Sequence, residues 1–411
     1  MKKHIFYLIM LVILAYCTNP VKHAELKSGI WRGVLKIDST NNDIEVPFNF
    51  NVVSSANDSI RVEFSNANEH IIATDVRFGN DSVFIRMPWF DSELKALIAG
   101  DTLKGQWYYY SKGNYKLPFF AYYNVKERFT GNKDNPPDVS GKWGVTLDYG
   151  DKDSTEALGL FEQKGNTITG TFLTGAGDYG SLEGSVTGSK FNLSSFDGAH
   201  AWLYTAELMN DSTMSGMFYS GKHYKYQWKA ARNKKVKMQQ PDSITGLKSN
   251  TEAFKFELKD MEGKPVTNSD PRFKNKVLII QIMGTWCPGC LEETRLFAEL
   301  YPAYKDRGLE IIAADFERKD DIAKARINIQ RVKDVAGAEY TFLYGGKADS
   351  AYIAKAFPQL VHFYCYPTSI YIDKKGRVRK VHAGFVGKSL PEQYAEQKES
   401  FMKFIEQLLG E

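Results

Sequence analysis

The sequence predicts a multidomain chain: two tandem all-β domains followed by an α/β domain. Three observations carry this. Residues 28–232 alternate apolar and polar side chains with a period of two, between Gly-, Asn- and Asp-rich turns. A weak internal repeat divides that stretch in two. Beyond residue 240 or so, strand-like runs are separated by helical patterns, the signature of a parallel α/β core. At 411 residues, with 43% hydrophobic and 25% charged side chains, the chain can fill several cores. The net charge of +4 is spread along the chain, with no basic stripe and no nucleic-acid motif. Nucleic acid is therefore not expected as a partner.

The N-terminus reads as a targeting segment. Lys2 and Lys3 precede an apolar run, Ile5 to Tyr16, too short to span a bilayer comfortably. Residues 1–16 are read as a signal peptide. Leu14-Ala15-Tyr16-Cys17 resembles a bacterial lipoprotein processing site. That makes Cys17 the candidate lipidation residue and 17–27 a tether. Tyr16 departs from the small residue usual before such a cysteine, so ordinary cleavage or an uncleaved anchor are the alternatives.

The first β-domain is placed at 28–131 and the second at 139–232. Val46 to Val52 and Thr167 to Phe172 are typical strand patterns. Gly29-Ile30-Trp31-Arg32-Gly33 is echoed by Gly141-Lys142-Trp143-Gly144, and Leu103-Lys104-Gly105-Gln106-Trp107 by Met214-Ser215-Gly216-Met217-Phe218. Between the copies, 132–138 carries Pro136 and Pro137 in a polar run, which blocks helix and central strand alike. Meandering barrels or sandwiches fit many short strands. Trp107, Tyr108, Tyr109 and Tyr110 suggest a sugar platform; the expected reading is that such aromatics fill small β-cores and cross-strand pairs.

Residues 233–250 form a basic, polar linker, and 251–411 the α/β domain. Its expected elements are strands at 254–258, 277–283, 309–314 and 340–344, and helices at 288–300, 320–335 and 348–357. A hairpin of 368–372 and 378–382 and a closing amphipathic helix at 391–409 follow.

The chemistry concentrates in Gly284-Thr285-Trp286-Cys287-Pro288-Gly289-Cys290, between a buried strand and a helix. Two thiols three residues apart can close a small disulfide. The N–H groups at the helix start favour the thiolate of Cys287, and Pro288 suits the first turn. Cys290, one turn in, is placed to resolve a mixed disulfide. A structural zinc site wants four ligands, and no second cysteine pair exists, so no metal is expected. His362 and Cys365 could be joined with the pair into a copper site, but a solitary histidine is more often structural. Gln281, six residues before Cys287, cannot transfer protons.

Residues 245 to 411 resemble the TlpA/ResA-like family of exported thioredoxin-fold proteins. Trp286-Cys287-x-x-Cys290 matches its active-site motif, Glu293 the acidic residue after the second cysteine, and Tyr366-Pro367-Thr368 its cis-proline loop. Gly289 and Arg295 stand where the family usually has proline. The resemblance implies a thioredoxin-like C-terminal domain acting as a thiol–disulfide oxidoreductase, in the direction of reduction, without a cofactor. Cys287, Cys290 and Glu293 are its expected catalytic residues, Glu293 as the base for Cys290. Trp286, Tyr366 and Pro367 are expected to bind substrate, and Cys365, two residues before Pro367, is a possible third thiol. The implied partners are disulfide-containing envelope proteins and a membrane thiol-electron donor of the cytochrome-maturation type. The implied place is the periplasm-facing envelope, held by a lipid anchor. The rival reading is an envelope binding or assembly lipoprotein, glycan- or protein-binding through its β-domains, with an accessory redox domain. A thiol peroxidase is disfavoured because a tryptophan precedes the cysteine pair.

Overall fold

The fold is that of a computed structural model, which describes residues 25–411 except 39–43, 55–58, 114, 132–135, 149, 152–153, 223, 234, 236–241, 243–244 and 249–253. The expected signal peptide, Cys17 and most of the tether lie outside the described residues, as do much of the two linkers. Among the described residues no helix is long and apolar enough to cross a membrane.

The protein is mostly β, with a large N-terminal β portion and a thioredoxin-like C-terminal region. Two nine-stranded antiparallel sheets, Gly29–Tyr123 and Gly141–Arg232, are each a meander whose last long strand returns to pair with its first. In the second, Thr155–Lys164 also pairs with Thr167–Thr174, so eight strands close into a barrel. The first stays open between Glu69–Ala73 and Val76–Phe78. Closure removes unpaired edges, and the inward residues of the barrel, Trp143, Phe161, Phe172, Phe191, Tyr204 and Trp228, fill its interior.

The internal repeat has a physical basis. Trp31 and Trp143 each donate an indole N–H, at 2.9 Å, to the carbonyl four residues earlier, Lys27 and Val139. At Gly105 and Gly216 a Cβ would strike the backbone of the neighbouring strand, at the Lys95 and Thr205 carbonyls. Trp107 and Tyr109 are core residues, whereas Tyr108 and Tyr110 stack on the outer face under Lys95.

The sheets are joined by a buried cation. Arg128 donates to Asn49 Oδ1 (3.1 Å), the Ser194 carbonyl (3.0 Å) and the Ser65 carbonyl, and pairs with Glu183 at 3.4 Å. Phe196 packs between Phe48 (4.5 Å), Phe64 and Trp107.

In the C-terminal region, Val277–Met283, Leu309–Glu317 and Thr341–Lys347 are parallel, and Thr368–Ile372 and Val378–Ala383 add an antiparallel hairpin. Among the described residues four α-helices flank them: α1 (Pro288–Tyr304), α2 (Ile322–Ala336), α3 (Ser350–Ala356) and α4 (Pro391–Gly410). Several bounds differ from expectation: α1 runs on to Tyr304 rather than 300, Thr341–Lys347 passes 344, α3 is shorter than 348–357, and three further differences follow. The strand foreseen at 254–258 is only Glu257–Lys259, because the sheet offers it just Pro265–Thr267 and Tyr344 as partners. The helix foreseen from 320 begins at Ile322, because Asp321 caps it through the Lys324 N–H, while Asp320 accepts the Tyr344 and Tyr352 hydroxyls. The strand foreseen to end at 314 runs on to Glu317.

Candidate active site

The strand Val277–Met283 is wholly buried and delivers the chain to Gly284. A Cβ there would meet the Phe316 carbonyl at 2.8 Å and the Trp286 indole, so only glycine lets the loop turn. Cys287 then caps α1, with Pro288 in the first turn. The Cys290 N–H donates to Cys287 Sγ at 3.4 Å, a donor on the sulfur where negative charge develops. Both are free thiols; Cys287 is 7% exposed and Cys290 fully buried.

Burial, reinforced by Cys287, pushes the Cys290 thiol well above the ordinary range. A group that takes its proton is therefore needed before it can attack. Glu293, one turn on, is buried on the face of α1 toward the Thr368–Ile372 strand, where Ser369 donates to Oε1 at 2.9 Å. Oε2 has no hydrogen-bond partner among the described residues. Burial pushes this carboxyl up to about 8, against the dipoles of Ser369 and Gln281. Gln281 donates to the Cys290 carbonyl (3.1 Å) and accepts from the Thr294 hydroxyl (3.2 Å), which fixes the first turns of the helix on the strand.

The Tyr366–Pro367 bond is cis. Its loop lies over the thiols: Cys287 Sγ is 3.7 Å from the Tyr366 carbonyl, and Pro367 Cδ would be 3.5 Å from a Cβ at Gly289. Trp286 packs edge-on against Tyr366 at 5.2 Å and donates to the Phe316 carbonyl at 2.9 Å. Cys365 is half-buried on the same loop, its thiol pushed up to about 12 by burial, then by Cys287 and Glu293. His362 is exposed, and no group of three metal-ligating side chains occurs among the described residues.

Sequence reasoning missed two carboxylates behind the Cys287 loop. Asp315 accepts from the Thr285 N–H at 3.3 Å, and Glu317 accepts from the Thr285 hydroxyl and from Asn328 Nδ2 at 3.2 Å. Burial, and each other's proximity at Asp315, raise both carboxyls. The signal was present: two acids at the carboxyl end of an apolar parallel strand, where such folds place their sites. Arg318 lies 4.5 Å over the Trp286 ring.

The β-sheets also reach the site. A cavity of about 740 Å³ opens over Cys287, Pro288 and Tyr366, and its far wall carries Glu69 and Trp89 from the first sheet and Asp178, Asp197 and Trp202 from the second strand set.

Sequence relatives of the C-terminal region are thiol-disulfide oxidoreductases. The AhpC/TSA family model matches residues 250–381. A thiol-disulfide oxidoreductase ResA of Bacillus thuringiensis subsp. konkukian is 34% identical over 154 residues, covering 38% of this chain and 76% of the relative. The ResA of Bacillus anthracis is 33% identical over the same shares. A thioredoxin-family thiol:disulfide interchange protein from Chlorobium tepidum TLS superposes with a TM-score of 0.28 at 20% identity, covering 38% of this chain and 94% of that structure.

Proposed function

The chain belongs to the TlpA/ResA-like family of thioredoxin-fold thiol–disulfide oxidoreductases, and from that premise we propose that it reduces disulfides of cell-envelope proteins. The supporting observation is the pairing of unlike thiols. Cys287 sits at a helix start at the floor of an open cleft, and Cys290 is sealed behind it beside a carboxyl pushed up to about 8. Cys287 attacks a substrate sulfur, forming a mixed disulfide and releasing the first substrate thiol. Glu293 takes the Cys290 proton. Cys290 then attacks Cys287, releasing the second thiol and leaving the pair oxidised. Trp286, Tyr366 and Pro367 hold the substrate strand against the thiols. Two tandem β-domains precede this redox domain, and Cys17 carries a lipid anchor to a membrane. A membrane thiol donor restores the dithiol.

Direction is tested by equilibrating the protein with glutathione or dithiothreitol buffers and reading the Cys287–Cys290 state. A midpoint below about −250 mV supports reduction, since envelope oxidants lie near −120 mV; a midpoint near the latter value overturns it.

A further inference from the structure

The cleft over the dithiol is a built structure. Arg295 of α1 lies 3.9 Å over the Trp89 ring. The Gly387 N–H donates to Asp178 Oδ1 at 2.6 Å, and Gly177 pairs with Phe385 as a parallel bridge. These contacts hold the walls in fixed register around Cys287.

The walls are aromatic and acidic. Trp89, Trp202 and Trp286 line the cleft, with four carboxylates: Glu69, Asp178, Asp197 and Glu292. Three of these are engaged. Asp178 takes Gly387 and Ser389, Asp197 takes His200 (2.9 Å) and two N–H groups of its turn, and Glu292 takes Arg295 (2.7 Å). Glu69 differs. It hydrogen-bonds the Ser181 backbone, and the charges that act on it most, Asp197, Glu292 and Asp178, are all negative. Burial and then those charges push its carboxyl up to about 8. A cation entering here would meet a negative potential and ionise Glu69. The arginine and lysine that line the cleft are turned elsewhere: Arg295 to Glu292 and Trp89, and Lys388 toward the Tyr394 ring at 5.7 Å.

We propose that this cleft selects the substrate of the dithiol: an extended segment of a disulfide-bonded polypeptide with a basic side chain near its cysteine, received by Glu69 while Cys287 attacks the sulfur. The proposal rests on the oxidoreductase reading above. A volume of about 740 Å³ takes a few residues and excludes a folded domain, so the client offers its disulfide on an unfolded stretch. In each turnover the substrate disulfide gains two electrons and two protons, and the Cys287–Cys290 dithiol loses them.

The test uses the full chain, reduced beforehand and freed of reductant, in single turnovers at low salt. Its substrates are two disulfide-bridged peptides differing only in Lys or Ser next to cysteine, and the small disulfide of 2-mercaptoethanol. The expected result is a Lys-to-Ser rate ratio of roughly ten, the worth of one charge-assisted contact in a half-buried site. In Glu69→Gln that ratio falls to about one, and in Glu69→Lys below it. A wild-type ratio of one overturns the proposal, as does a ratio unchanged in both variants. If neither variant folds, the wild-type ratio and its loss at high salt decide. Failure on the small disulfide as well would instead overturn the oxidoreductase reading, and the proposal with it.

Discussion

A thiol sealed from water, such as Cys290, resolves a mixed disulfide only when something nearby accepts its proton, the part proposed for Glu293. Glu293→Gln is predicted to slow resolution by about 10²-fold, with first attack retained, and to abolish the rise in resolution rate through pH ~8. The same substitution alters stability in a defined direction. The folded-state value of about 8 lies above the ~4.3 of a free glutamate, so the folded protein binds the extra proton between those values. Stability is full below ~4 and falls as pH rises toward 8. Glu293→Gln should therefore raise Tm at pH 9 relative to wild type, and change it little at pH 4. Cys365, pushed up to about 12, is predicted to stay unalkylated by iodoacetamide at pH 8 while Cys287 reacts, and Cys365→Ser to keep wild-type rates. The dithiol and Glu293 could be read from the sequence because their spacing is local, whereas the cis-proline loop was implied only by the family resemblance. Asp315 and Glu317 carry a signal, two acids at the end of an apolar strand, but their role shows only once Thr285 is seen against them. Glu69 depends on packing between residues far apart in the chain.

The elements follow the same division between local and remote causes. Thr368–Ile372 has the expected bounds, since Pro367 precedes it and the Lys374-Lys375-Gly376 turn follows it. The shortened strand Glu257–Lys259 and the shifted start of α2 depend on partners supplied from elsewhere, Tyr344 above all. That the second meander closes while the first stays open was not legible, since both copies carry the same alternation. Two glycines carry predictions here. Gly216→Ala would drive a methyl into the Thr205 carbonyl in the barrel wall. The expected loss is about 3 kcal/mol in urea unfolding. Gly284→Ala forces Trp286 off the Phe316 carbonyl. It should cost about 1–3 kcal/mol and shift Trp286 fluorescence, with a lower rate of disulfide attack.

Across the whole molecule, the sheets and the redox region are held together by ion pairs as well as by apolar contact. Asp91 of the first sheet meets Lys324 at 2.5 Å and Arg331 at 3.6 Å, both from α2. Burial works against its charge, yet Lys324, Arg86 and Arg331 outweigh it and hold the carboxyl below its usual value. This contribution is present above about pH 4 and is lost as pH falls through the lowered folded value. Asp91→Ala is predicted to cost about 2–4 kcal/mol by stranding its cationic partners, and to increase proteolysis between the sheets and α2. The sequence reads as three domains in a row; the contacts place the thiols in a cleft that three parts of the chain build together. In the proposed cycle Cys287 attacks and Cys290 resolves. Its most direct test is to mix reduced Cys290→Ser full-length protein with a disulfide-bridged peptide, quench with acid, and map the adduct by mass spectrometry. One peptide per chain on Cys287, with none formed by Cys287→Ser, is the predicted result; an adduct on Cys365, or equal trapping by both variants, would contradict it.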